Sequence, residues 1–408
     1  MALRGGTSTG VRTKLLMSCA IGITLALTFV ACENSSSESF TLRRDSAGVR
    51  IVESTRQAWA EGEGWTVDPV PVLDLTTSGQ GPAHEFYRVR DAIRLRDGSF
   101  AVANYGSAEI RLFSAAGQHI RTYGRQGEGP GEFERLTSIH ELAGDSILAF
   151  DYWLGRFTIF DIVSGEARTF GSYDKDIRID DVALLQSGRI VTVSYVLEQL
   201  VDFGVYRMPH AIATMDMTGG NADSVAVIPG GEGFQFDQGD ARPLFRKDGM
   251  MAVHGERIYL GHGDSLEVSV YAGGGELEMI MRVPGHDLRL SDADIAAERQ
   301  ALAPRPEWPD FMKAVNAALP APETRPAYAQ ILVDAGGFVW APEHLGVAES
   351  EQPLDCTIFS PDGQWLGSVQ LPPRFTPYEI GEDYVLGMLR DDLDTEHVQV
   401  LRLDRNSR

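Results

Sequence analysis

The sequence predicts an all-β protein, a six-bladed β-propeller with four-stranded antiparallel blades. Three observations carry that expectation. Gly124-Arg-Gln-Gly-Glu-Gly-Pro-Gly-Glu-Phe133 holds four glycines and a proline in ten residues, which suits a connector and not the interior of a helix or strand. The phrase recurs at Gly79-Gln-Gly-Pro-Ala-His-Glu-Phe86, with a looser third copy at Pro229-Gly-Gly-Glu-Gly-Phe234. Gly81 and Gly129 lie 48 residues apart, and Gly129 and Gly231 lie 102 apart, close to twice that spacing. Periods of about 40–50 residues built from short strands mark propeller blades.

The N-terminus reads as an export signal. Arg4, Arg12 and Lys14 precede an apolar run from Leu15 to Ala31, the form of a secretory signal peptide over residues 1–31. Phe29-Val-Ala-Cys32 resembles the bacterial lipobox, with Phe29 where Leu is usual, so Cys32 is expected to be lipidated. An uncleaved anchor is the competing reading, and at 17 residues the run is at the short limit for a spanning helix. Residues 32–47 then form a lipidated tether, and residues 48–408 form the propeller. The expected address is the cell envelope, membrane-anchored and facing the periplasm.

From Gly48 onward, short apolar-alternating runs are punctuated by Gly and Asp. Val49–Glu53 and Val70–Leu75 come first. Val89 to Tyr123 reads as four strands joined by Gly-containing hairpin turns. Similar units follow over Leu136–Phe170, Asp180–Ile228, Met250–Val283 and Tyr328–Leu371, and Thr376–Leu403 supplies about three further strands. The last blade therefore lacks one strand, which either Val49–Glu53 or Val70–Leu75 is expected to lend, leaving no open seam. Residues 288–320 break the pattern as a helical insert between the fourth and fifth blades. In it, Ser291-Asp-Ala-Asp294 resembles a capping box, and Phe311, Met312, Val315 and Leu319 share one helical face. The insert either covers apolar surface on a blade edge or forms a lid over the channel.

The entry phrase Asp45-Ser-Ala-Gly-Val-Arg-Ile-Val-Glu53, the Gly127–Phe133 connector, the turn-plus-strand pattern of Ser107–Gly117 and the closing Ile380-Gly-Glu-Asp-Tyr-Val-Leu-Gly387 resemble the NHL-like (TolB-like) propellers. More closely, they resemble a group of bacterial propeller lipoproteins without assigned activity. The resemblance implies fold and export, not a reaction.

The formal net charge is −22, and −25 once residues 1–31 are removed. Such a surface repels phosphate backbones, so no nucleic-acid partner is expected. Beyond Cys19 of the leader and Cys32, only Cys356 remains, which excludes a disulfide framework and reads as a small buried apolar residue. The Gly-rich connector is no phosphate loop, because it lacks the following Lys-Ser/Thr and leads into a strand. Gly127, Gly129, Pro130 and Gly131 are read instead as a structural connector. The one Gly-x-Ser-x-Gly, at Gly6–Gly10, lies in the leader.

Propellers build sites from single residues of several blades, where each inner strand enters the central channel. Aligning the units places Asp91, Ser138, Asp180, Asp181, Asp248 and Tyr328 there, with His140 and His254 slightly further along. Converging carboxylates suit Ca²⁺ or another divalent ion, and the resemblance adds that NHL-like lyases and lactonase-type propellers use channel metals. The competing reading is that the Asp residues satisfy strand-start amides and the histidines are packing residues. The functional expectation is a non-catalytic module binding a cell-envelope protein or a small ligand. Its alternative is an NHL-like hydrolase or lyase with a metal in the channel.

Overall fold

The computed structural model describes residues 40–171, 178–195, 203–237, 239–303 and 309–406. The leader, Cys32 and most of the tether lie outside the described residues. The chain opens with the hairpin β1 (Thr41–Ser46) and β2 (Val49–Ser54), then the short β3 (Thr66–Val67) and β4 (Leu73–Asp74). One sheet holds β5 (Val89–Arg94), β6 (Phe100–Asn104), β7 (Glu109–Phe113) and β8 (His119–Tyr123), and the next holds β9 (Leu136–Leu142), β10 (Ser146–Asp151), β11 (Arg156–Asp161) and β12 (Ala167–Phe170). The third has β13 (Arg178–Leu184), β14 (Ile190–Tyr195), the long pair β15 (Gly204–Met215) and β16 (Asp223–Phe236), and β17 (Gly239–Ala241). The fourth has β18 (Met250–His254), β19 (Arg257–Gly261), β20 (Glu267–Ala272) and β21 (Leu277–Arg282). Helices α1 (Asp292–Ala301) and α2 (Asp310–Ala318) intervene. The fifth sheet is β22 (Leu332–Val333), β23 (Val339–Pro342), β24 (Leu354–Phe359) and β25 (Trp365–Leu371), and the sixth is built on β26 (Phe375–Ile380), β27 (Tyr384–Arg390) and β28 (Glu396–Asp404).

The first strands of the six sheets touch one another in a cycle, β5–β9–β13–β18–β22–β26 and back to β5. That cycle makes the fold a β-propeller, with these strands innermost. Each sheet is packed on both faces by its neighbours, so its middle strands are apolar without alternation. Phe100-Ala-Val-Ala-Asn104 is buried at every position, as a strand covered on both faces requires. Between the first two sheets, Ala101, Ala103, Ile110 and Leu112 meet Leu136, Ile139, Ile147 and Ala149. Cys356 is fully buried in the cluster between the fifth and sixth sheets, and burial pushes its thiol well above the usual range.

The N-terminal segment follows the outer edges of three consecutive sheets. β2 pairs in parallel with β21, the outer strand of the fourth sheet. The Ala58 and Trp59 amides donate to the Trp365 and Leu366 carbonyls of β25 at 3.0 and 2.7 Å. β3 and β4 then pair with β28 and supply the missing outer strand of the sixth sheet. Of the two expected donors, the Val70–Leu75 segment closes the ring, with only Leu73 and Asp74 in strand, while Val49–Glu53 covers the fourth sheet instead. Trp59 and Trp65 pack this belt against Trp340 and Phe338. Asp334, fully buried, ties it further by accepting from Trp340 Nε1 at 3.0 Å and pairing with Arg405 at 2.7 Å. Arg405 stacks on Trp65 at 4.2 Å.

The two true copies of the connector are built alike. Each ends in a buried phenylalanine, Phe86 or Phe133. Each has its carbonyls gripped by an arginine from the third strand of the blade it enters. Arg111 donates to the Ala83 and Glu85 carbonyls at 3.2 and 2.5 Å. Arg156 donates to those of Glu128, Gly129 and Glu132 at 2.6, 2.7 and 2.6 Å. The Glu132 carboxylate accepts from the Gly129 amide at 2.8 Å and pairs with Arg125 at 2.6 Å. Gly127 and Gly131 adopt φ of 148° and 74°, whereas Gly129 does not enter that region. The third copy departs from expectation: Pro229–Phe234 lies inside β16, where Arg207 and Arg246 hold the Gly230 and Glu232 carbonyls.

In the insert, the Ser291 hydroxyl accepts from the Asp294 amide and the Asp294 carboxylate accepts from the Ser291 amide, a reciprocal cap. α1 docks on the loop after β23 through buried Glu298, which accepts from the Ala348 amide at 3.0 Å. Phe311 and Val315 of α2 face Phe203, Phe234 and Phe236 across an apolar cleft at the end of the β15–β16 hairpin. Among the described residues, no helix is long and apolar enough to cross a membrane.

We predict that Arg156→Ala costs about 1.5–3 kcal/mol, because three carbonyls, one exposed and two partly buried, lose a charged donor. Gly131→Ala should cost about 1 kcal/mol or more, since its left-handed backbone strains any L side chain. Chemical denaturation checks both, and an unchanged midpoint for either variant contradicts the structural role of the connector.

Candidate functional site

Every sheet is entered by its inner strand, so the starts of the inner strands share one end of the channel. An inner strand has one edge paired within its sheet and the other facing the channel, where its amides lack a partner strand. Side chains of adjacent blades fill that need. Asp91 of β5 accepts from the Ile139 amide of β9 at 2.9 Å. Glu379 of β26 accepts from the Arg94 amide of β5 at 3.0 Å, and Glu396 from the Val89 amide at 2.8 Å. Glu141 of β9 takes the Arg96 amide at 3.0 Å. His140 forms a backbone hydrogen bond with Val182 of β13, while Asp181 accepts from the Val182 amide at 2.8 Å.

This interior is poorly solvated, and its acids feel each other. Burial pushes Asp91 up to about 7, aided by the charges of Asp181 and Glu379. Burial likewise raises Asp181 to about 6, with Asp180 adding to it. Glu379 is raised by burial as well. Burial lowers His140 to about 4, which keeps its imidazole neutral near pH 7. Ser138 Oγ and His140 Nε2 are buried without hydrogen-bond partners. They lie two apart on β9, on the same face, but do not bond to each other, so the contact that activates a serine nucleophile is missing.

The other candidate residues fall elsewhere. Asp248, just before β18, accepts from the Gly249 amide and pairs with Arg246 at 2.9 Å, with His210 Nε2 3.9 Å away. His254 ends β18, near the Gly337 turn at the opposite end of the channel. Tyr328 is fully buried in the core between the fourth and fifth sheets, where its hydroxyl donates to the Glu267 carbonyl at 2.6 Å. Among the described residues, no three His, Cys, Asp or Glu side chains are grouped to hold a metal ion. Asp91, Asp181 and Glu379 are directed at backbone amides, whereas Asp180 meets the Tyr195 hydroxyl.

Sequence reasoning missed the mouth of the channel. Tyr152, in the β10–β11 turn, has two guanidinium groups near its ring, Arg135 at 4.5 Å and Arg178 at 4.6 Å from the ring centre. Arg178 also reaches Trp153 at 5.7 Å. On the adjacent blade Arg88 and Arg90 stand 6.0 and 5.4 Å from the Tyr105 ring. The signal was an arginine at the entry of each of three successive inner strands; alignment of the units placed Arg90 there but not Arg88, Arg135 or Arg178.

No protein-family model and no curated sequence matches the chain. Among solved structures, a member of the DUF4221 family from Bacteroides vulgatus aligns with a TM-score of 0.51 at 10% identity, over 84% of this chain and 98% of that one. The likeness is one of fold. A Bacteroides fragilis protein designated as exported aligns at 0.48 and 12%, over 87% and 99%. A gluconolactonase from Xanthomonas campestris aligns at 0.43 and 12%, over 78% and 88%.

The raised pKa of Asp91 has a testable sign. A carboxyl near 7 in the fold and about 3.9 in the unfolded chain favours folding at low pH, and that contribution is lost as pH rises through 7. Asp91→Asn keeps an oxygen for the Ile139 amide but cannot ionise. We predict that it gains stability relative to wild type between pH 5 and pH 8 by at least ~1 kcal/mol. A difference that stays constant with pH contradicts the raised value.

Proposed function

We propose that this chain is an exported, lipid-anchored propeller that binds a small ligand at the mouth of its central channel and performs no chemistry on it. The observation that carries the reading is a division of labour among polar side chains. Inside the channel Asp91, Asp181 and Glu379 are directed at backbone amides, and Ser138 lacks a bonded base. At the mouth, Arg88, Arg90, Arg135 and Arg178 form no ion pair among the described residues, and Tyr87 and Trp153 stand 59% and 61% exposed. Exposed aromatic planes with free donors are the means by which proteins hold small ligands.

Export and anchoring rest on the Arg4–Ala31 leader and on Phe29-Val-Ala-Cys32. They give the propeller a position at a membrane surface, where a soluble ligand or the exposed segment of an envelope protein can reach the mouth.

Two experiments test the reading. A thermal-shift screen of the full-length protein in neutral detergent, against a chemically diverse set of small molecules, should find compounds that raise the melting temperature of wild type but not of Trp153→Ala. Finding none overturns the binding role, and consumption of a stabilising compound overturns the absence of chemistry. For the anchor, metabolic labelling with a fatty acid should mark wild type and not Cys32→Ser. Equal labelling refutes the lipidation of Cys32.

A further inference from the structure

We propose that the ligand of the channel mouth is a small polyanion, bearing carboxylate or phosphate groups, held by Arg135 and Arg178 over Tyr152 and by Arg88 and Arg90 on the neighbouring blade. This rests on the binding role proposed above and specifies its chemistry.

Acidic residues outnumber basic ones in this chain, 58 to 36. Most of its arginines find a carboxylate: Arg43, Arg111, Arg125, Arg189, Arg207 and Arg282 are all paired. Several described arginines have no ion pair, and four of them, Arg88, Arg90, Arg135 and Arg178, stand together at one end of the ring. Two of them converge on one aromatic ring, 4.5 and 4.6 Å from its centre. Like charges placed that way repel, and the ring quadrupole offsets only part of the repulsion. Arg135 shows the strain of the arrangement most clearly, because its Nε is buried with no hydrogen-bond partner. A guanidinium offers its donors in a planar fork, which matches the two oxygens of a carboxylate or phosphate. Stacking on Tyr152 and Tyr105 holds those forks in fixed orientations, so little side-chain entropy is lost on binding.

The placement explains how an anion can bind a protein of net charge −22. At physiological ionic strength, charges beyond about 8 Å are largely screened. Local charge then decides the outcome, and four guanidinium groups stand at the entries of the first three sheets beside Asp91, Asp180 and Asp181. The arginines come from the entries of β5, β9 and β13, which are adjacent inner strands. Their spread over neighbouring blades favours a ligand with more than one anionic group over a simple monoanion.

The test is isothermal titration calorimetry of full-length protein in neutral detergent, with citrate as the carboxylate probe and pyrophosphate as the phosphate probe. At least one should bind, and the one that does identifies the group recognised. Arg135→Gln combined with Arg178→Gln should weaken binding about tenfold or more, as loss of charged hydrogen bonds demands. The melting temperature of that variant without ligand should equal or exceed that of wild type, because a like-charge pair has been removed. Arg50→Gln, on the outer edge of the fourth sheet, should bind as wild type does. Equal binding by the double variant overturns the site. If neither probe binds while neutral compounds stabilise wild type but not Trp153→Ala, the polyanion is overturned and the binding role stands. If no compound of any kind stabilises the protein, both fall.

Discussion

The structure depends on how sheet edges are satisfied. A propeller blade has two edges, and each presents backbone amides and carbonyls that need partners. At the outer edges of three blades the solution is a strand or strap from the N-terminal segment, running from β21 across β25 to β28. At the channel the solution is side chains, with Asp91, Glu379, Glu141 and Glu396 each accepting an amide from a neighbouring blade. These contacts join blades to each other, so they fix the ring as well as satisfying the strands. An unmet buried amide costs about 1–3 kcal/mol, which is large against the net stability of a domain.

That constraint shapes what the channel can do. A carboxylate that must accept an amide inside a narrow, poorly solvated channel is held away from the role of a free ligand or base. Its pKa rises because the charged form is badly solvated and stands near others of its kind, as with Asp91, Asp181 and Glu379. The mouth is under no such constraint. Its arginines lie on turns and strand entries whose backbone is already satisfied, for example through Asp151, which accepts from the Glu134 and Arg135 amides at 2.8 and 2.9 Å. Asp151 thereby carries the backbone at Arg135 and leaves the guanidinium available.

Much of the fold was legible because it lies in local patterns. The Gly-rich phrase marks blade entries, and both true copies carry the same buried phenylalanine and the same arginine clasp. The third copy misled because glycine and glutamate in Pro229–Phe234 resemble the connector, yet the long β15–β16 pairing keeps them in a strand. Ring closure was legible in kind but not in address, since Val49–Glu53 and Val70–Leu75 are equally strand-like and only tertiary packing distinguishes β21 from β28. The site was least legible. Asp91, Ser138, His140, Asp180 and Asp181 do come to the channel, whereas Tyr328 is packed in the core and His254 lies at the far end. Alternation along a strand does not tell whether an Asp meets a ligand or the amide of the next blade. The pairing of Arg135 with Arg178 through Tyr152 joins residues of two blades, and no local pattern announces it.

The most direct measurement of edge satisfaction is amide hydrogen exchange on the intact protein and on a form lacking residues 40–75. In the intact protein the outer-edge amides of β21, β25 and β28 should exchange as slowly as those of the inner strands. In the shortened form that protection should fall first at those three edges and then around the ring, as the open seam lets the blades separate. Protection that is unchanged in β25 and β28 after the deletion would contradict the account.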